Sequence, residues 1–184
     1  MKTNKTRIIV LSAIAIALNI VLGTITSTLK LPFYLDVLGT IFIAVYYGPL
    51  YGAMVGGLTN IVTGILINPK DIPFMIVSIA VGLIVGFVAK KFKFTFVSAL
   101  ITGLILSIVC PLIGTPIGIW VYGGLTGTGL DFVFLWLRET GNSLFLSSFL
   151  PKVFNNLIDK IGSCLIVYFL IKSLPKKYKP HLNN

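Results

Sequence analysis

Repeated apolar runs of about 20 residues, the length a helix needs to cross the hydrocarbon of a bilayer, decide what this chain can fold into. A backbone placed in lipid must satisfy its own hydrogen bonds, which a helix does internally. The runs read as six transmembrane helices, at about 7–28, 36–47, 50–67, 72–89, 94–113 and 151–174. Gly48-Pro49 marks a tight turn, Asn68-Pro69-Lys70-Asp71 a loop, and Pro111 and Pro116 bend or end the fifth helix. The segment 114–150 reads as an extracellular loop, with a short helix over 131–140 dipping into the interface. Charged residues make up only 11% of the chain, against about 25% in a soluble domain. The expectation is therefore one all-α integral membrane domain over 1–184, with no soluble domain attached.

The net charge of +10 raises the question of nucleic acid. The basic residues gather at helix ends and not on an aromatic-interleaved surface, so no nucleic-acid partner is expected. Beside apolar spans, positive charge sets orientation. With the N-terminus inside, cytoplasmic segments hold Lys2, Lys5, Arg7, Lys90, Lys91, Lys93, Lys172, Lys176, Lys177 and Lys179, and outer segments hold Lys30, Lys70, Arg138 and Lys152. Ten against four, with an even number of spans, places both termini in the cytoplasm. The N-terminal apolar run is too long for a cleaved leader and is read as a retained first helix. Cys110 and Cys164 sit inside apolar runs and His181 in the polar tail, so no metal site or cofactor is expected.

Small residues recur at helical spacing. Gly52, Gly56, Asn60 and Gly64 form one stripe, and Ser78, Gly82 and Gly86 another. Such stripes let helices approach closely inside a bundle. Ala13, Ala15 and Ala17 on the first helix instead suggest an external surface for another membrane protein.

Polar residues on the last helix are the strongest sign of a site. Lys152, Asn155, Asn156 and Asp159 share one face, with Lys160 beside them. Such groups within a span are costly and usually face a cavity or a partner. Either Asp159 and Lys160 are interfacial residues that reach to water or pair only to hold the fold, or the group forms the polar wall of a pocket, open to the outside, for a small polar molecule. Asp36, Asp71, Trp120, Tyr122, Trp136, Arg138, Glu139 and Asn142 fall near the outer face. The aromatics there suit either an interfacial belt or a lid over a planar ligand.

Taken together, these features resemble the substrate-binding S component of an energy-coupling factor (ECF) vitamin transporter. The resemblance covers nearly the whole chain. It rests on Ala13-Ile-Ala15-Ile-Ala17, the Leu31-Pro32-Phe33 loop leading to Asp36, the turn Tyr47-Gly48-Pro49-Leu50-Tyr51-Gly52-Ala53, and Leu150-Pro151-Lys152 opening a helix with Asn155, Asp159 and Lys160. It implies a multi-pass protein of a prokaryotic cell membrane that captures a water-soluble vitamin or precursor at the outer face. It implies Asn155, Asn156, Asp159, Trp120 and Tyr122 as ligand contacts, and Ala13, Ala15 and Ala17 as the docking surface for a scaffold T subunit driven by two cytoplasmic ATPases. The chain has no G-x-x-x-x-G-K-[ST] loop of its own, so the ATP chemistry falls to those partners.

Other classes fit less well. The five acids, Asp36, Asp71, Asp131, Glu139 and Asp159, are widely spaced and without a histidine beside them, which disfavours a membrane-embedded enzyme. A sensor or regulatory membrane subunit would have to signal by contact alone. A self-sufficient transporter or channel would be expected to show inverted repeats, and none is visible in the sequence.

Overall fold

A computed structural model describes residues 5–125 and 129–175, and among these the chain is entirely helical. Lys2, Lys176, Lys177, Lys179 and His181 lie outside the described residues. The helices are α1 (Lys5–Thr28), α2 (Leu38–Tyr47), α3 (Pro49–Leu66), α4 (Met75–Phe92), α5 (Phe96–Tyr122), α6 (Asp131–Glu139) and α7 (Leu144–Ser173). A 3-10 turn, Pro69–Phe74, leads into α4. Five segments are long and apolar enough to cross a membrane: α1, α3, α4 with its 3-10 turn, α5 and α7. At ten residues, α2 spans about 15 Å, roughly half the hydrocarbon thickness.

Glycine allows the close approaches that hold the bundle together. A Cβ at Gly82 would strike the Gly52–Ala53 backbone, one at Gly56 the Ser78 carbonyl, and one at Gly86 Pro49, so α3 and α4 pack antiparallel along almost their whole length. A Cβ at Gly39 would strike the Ala15 backbone, which seats α2 on α1. Gly103 lies against Ile161 and Gly118 against Lys152, which makes α5 and α7 a second antiparallel pair. Large apolar side chains such as Ile9, Ile14, Met54, Phe87, Ile101 and Phe169 point outward, as a lipid-facing surface requires.

Among its described residues, the segment 114–150 is not one continuous loop: α5 extends to Tyr122, α6 covers Asp131–Glu139 and α7 begins at Leu144. Pro111 and Pro116 sit inside α5, which runs to Tyr122, and Pro151 sits inside α7, which starts at Leu144 and does not open at Pro151. A proline removes one backbone donor but need not end a helix whose apolar face continues to pack. Here Gly114, Thr115 and Gly118 carry the buried face of α5 past both prolines, and Ser147 and Ser148 carry that of α7 ahead of Pro151. The resulting spans of 27 and 30 residues are longer than the hydrocarbon needs, and their ends rise as walls. Lys152 thus lies within a helix, buried, and leaves the set of loop cations.

The connections define two ends of the bundle. One end carries the start of α1, the α2–α3 turn, the end of α4, the start of α5 and the end of α7, and Phe96 of α5 meets Tyr168 and Phe169 of α7 there. Lys5, Arg7, Lys90, Lys91, Lys93 and Lys172 all belong to this end. The other end carries the 29–37 loop, the 3-10 turn and α6.

Candidate ligand-binding site

A cavity of about 660 Å³ occupies the end opposite the basic cluster. Its floor is built around Asn19, a single amide in the middle of the apolar α1. Asn19 Nδ2 donates to Thr40 Oγ1 at 3.0 Å and Thr59 Oγ1 at 3.1 Å, while its Oδ1 accepts from the Gly39 backbone N–H at 2.7 Å. One side chain therefore ties α1, α2 and α3 together and satisfies a donor in the first turn of α2. Above it, Ser78 Oγ donates to Asn60 Oδ1 at 2.6 Å, and Asn60 Nδ2 donates to the Asp71 carbonyl at 3.2 Å.

The 29–37 loop forms one wall. Lys30 and Leu35 both adopt positive φ, at 50° and 51°, a conformation that disfavours side chains larger than glycine. Thr26 Oγ1 donates to the Tyr34 carbonyl at 2.6 Å, and the Leu35 N–H donates to Asp159 Oδ1 at 2.8 Å. Asp159 also accepts from Lys160, whose ammonium lies 3.6 Å from Asp36 Oδ1. The loop is thus strapped to α7, and Phe33, Tyr34 and Asp36 are presented to the cavity. Burial raises the Asp36 carboxyl, opposed by the Lys160 ammonium beside it. Burial also pushes the Tyr34 phenol upward, with Asp36 adding to the effect, so Tyr34 remains a neutral donor.

The opposite wall comes from α4, α5 and α7. Tyr122 donates to Asp71 Oδ1 at 3.2 Å and accepts from Asn68 Nδ2 at 2.9 Å, with Phe74 stacked at a tilt beside its ring. Lys152 Nζ donates to Ser148 Oγ at 2.9 Å and points at Gly118, where a Cβ would lie only 2.5 Å from it. The glycine leaves that ammonium room at the cavity surface. Asn156 lines the cavity beside it, with its Nδ2 donating to the Lys152 carbonyl at 2.8 Å.

Of the site candidates singled out in the sequence, Asp36, Asp71, Tyr122, Lys152, Asn156 and Lys160 line this cavity together. Asp159 stands behind the wall and holds the loop and Lys160. Asn155 is also behind it, 1% exposed, with neither amide atom hydrogen-bonded. Trp120 points away, 79% exposed, because it is two residues from Tyr122 on the same helix and so lies on the far face. Trp136 is also exposed, and Arg138 donates to the Asn142 carbonyl at 3.0 Å, a contact that closes α6 locally. Glu139, likewise exposed, ends α6, and of that helix only Asp131 reaches the cavity. The three alanines of α1 do not share a face. Ala13 and Ala17 are exposed, while Ala15, half a turn away, is buried against Gly39. Sequence reasoning passed over Asn19 and Thr59, and placed Asn60 and Ser78 only in packing stripes and Asn68 only in a loop. Asn19 carried a usable signal, since an amide in the centre of an apolar span needs partners.

A family model described as "ECF transporter, substrate-specific component" matches residues 7–171. Neither the comparison with curated proteins nor that with solved structures returns a match.

Proposed function

Because the chain belongs to the substrate-specific components of ECF transporters, we propose that it captures a water-soluble vitamin or vitamin precursor at the outer face of a prokaryotic cell membrane for ATP-driven uptake. In this reading α2 completes six crossings and both termini are cytoplasmic. The positive-inside rule supports that orientation, since the described cations of the α1, α4 and α7 ends gather away from the cavity. The scaffold T subunit and its two ATPases engage the Ala13/Ala17 face of α1, and the ligand meets Asp36, Asp71, Tyr122, Lys152 and Asn156.

The observation that carries the proposal is the cavity itself. At about 660 Å³ it falls in the range that buries an organic ligand and is far larger than an ion needs. Apolar Val77, Val81 and Pro111 lie between its polar groups, a mixture suited to orienting a small molecule. Calorimetric titration of the purified protein against riboflavin, thiamine, biotin, folate, nicotinate, pantothenate, pyridoxine and cobalamin tests it. Tight one-to-one binding of one member supports capture. Silence across the panel counts against it.

A further inference from the structure

The charges around the cavity are not evenly balanced along α7. Lys160 is flanked by two carboxyl groups, Asp159 and Asp36, so that cluster sets two acids against one ammonium. Asp36 Oδ1 is buried without a hydrogen bond, while the Asp36 side chain as a whole is 42% exposed. Lys152 is the reverse case. It is only 7% exposed, its hydrogen bond goes to the neutral Ser148 hydroxyl, and the carboxylate whose charge reaches it is Asp131 on α6. A buried ammonium served by a hydroxyl is under-compensated, and an anion beside it would be strongly held.

The two sites are eight residues apart on one helix, which sets them about 12 Å apart along its axis. Both lysines lean in the same direction along the helix, so the offset is kept. Asn156 lies midway between the two lysines on α7, and Val77, Val81, Pro111 and Phe74 add an apolar and partly aromatic lining to the same cavity. A single ammonium matches a monoanionic carboxylate better than a dianionic phosphate ester.

Resting on the capture role proposed above, we infer that the ligand is an elongated carboxylic acid whose far end carries N–H donors. Its carboxylate meets Lys152, its N–H edge meets Asp36, and its apolar or planar middle crosses the wall between them. Simple cations, neutral polyols and short aromatic acids do not span both groups.

The test uses matched compounds on the unaltered protein in detergent. Biotin and pteroate are compared with their carboxamides, nicotinate serves as a short acid, and thiamine and riboflavin serve as members without a carboxylate. The expected result is that a long acid binds one-to-one and that its amide binds at least about tenfold more weakly, the scale of one charged hydrogen bond. Lys152→Gln should bring acid and amide to equal affinity, and Asp36→Asn should weaken both. Tight binding of thiamine or riboflavin with the acids silent overturns the ligand class and leaves the capture role standing. Nicotinate binding as tightly as the long acids overturns the two-ended geometry. No binding by any compound overturns both proposals. The acid–amide comparison needs no variant, so a Lys152→Gln protein that fails to fold does not blunt it.

Discussion

Asp159→Ala puts the strap between the 29–37 loop and α7 to the test. The Asp159 side chain is 0% exposed and that of Lys160 4%. Removing the carboxylate strands a buried ammonium and frees the Leu35 N–H, which Asp159 holds at 2.8 Å. Breaking a buried ion pair from one side costs about 3–5 kcal/mol. Asp36 remains 3.6 Å from Lys160 but is partly exposed, so the expected cost lies at the lower end, about 3 kcal/mol. In Asp159→Ala/Lys160→Met both charges are gone, and the residual penalty is chiefly the unpartnered Leu35 N–H, about 1 kcal/mol. The double variant should therefore be more stable than the single one, although it loses a partner of Asp36. Unfolding in mixed dodecyl maltoside and sodium dodecyl sulfate micelles, followed by circular dichroism, measures both. A single variant within about 1 kcal/mol of the native protein would show that Asp159 does not compensate Lys160, as would a double variant no more stable than the single.

Other consequences follow from particular contacts. Asn19→Leu removes three hydrogen bonds at once and should destabilise the protein by about 2 kcal/mol, read by the same unfolding assay. Gly82→Ala forces a Cβ into the α3 backbone and should cost about 1–3 kcal/mol, whereas Gly162→Ala, with open space around it, should be neutral or stabilising by up to about 1 kcal/mol. Ala17→Trp should leave the isolated subunit's stability unchanged and abolish co-purification with the scaffold subunit, while Ala15→Trp should damage the isolated subunit itself through the contact at Gly39. Equal behaviour of the two alanine variants would remove the docking assignment.

Much of the fold is legible because bilayer physics leaves few options. Apolar length gives the spans, and the glycine stripes at Gly52-Gly56 and Gly82-Gly86 give the α3–α4 pairing. What misleads is proline. Pro111, Pro116 and Pro151 read as breaks, yet the small face of Gly114, Thr115 and Gly118 and the buried Ser147 and Ser148 keep both helices packed across them. Of the polar residues singled out on α7, Lys152, Asn156 and Lys160 reach the cavity, while Asn155 and Asp159 do not. Helical period places Lys152, Asn155, Asn156 and Asp159 on the buried side, but only the neighbouring helices decide which of them meet open space. The α1 alanines show the same limit in another form, since residues two apart on a helix cannot share a surface. Asn19 escapes notice, and Asn60 and Ser78 read only as members of packing stripes, because their partners come from other helices, which no local pattern reveals.

Ligand capture by this protein is expected to be coupled to an ATP-driven module. Uptake of a radiolabelled ligand into proteoliposomes holding this protein with the scaffold and ATPase subunits of its own host measures that coupling. Accumulation should require ATP in the compartment facing the basic end, and should disappear when Lys152→Gln replaces the native chain. Accumulation that proceeds without ATP, or without this protein, would contradict it.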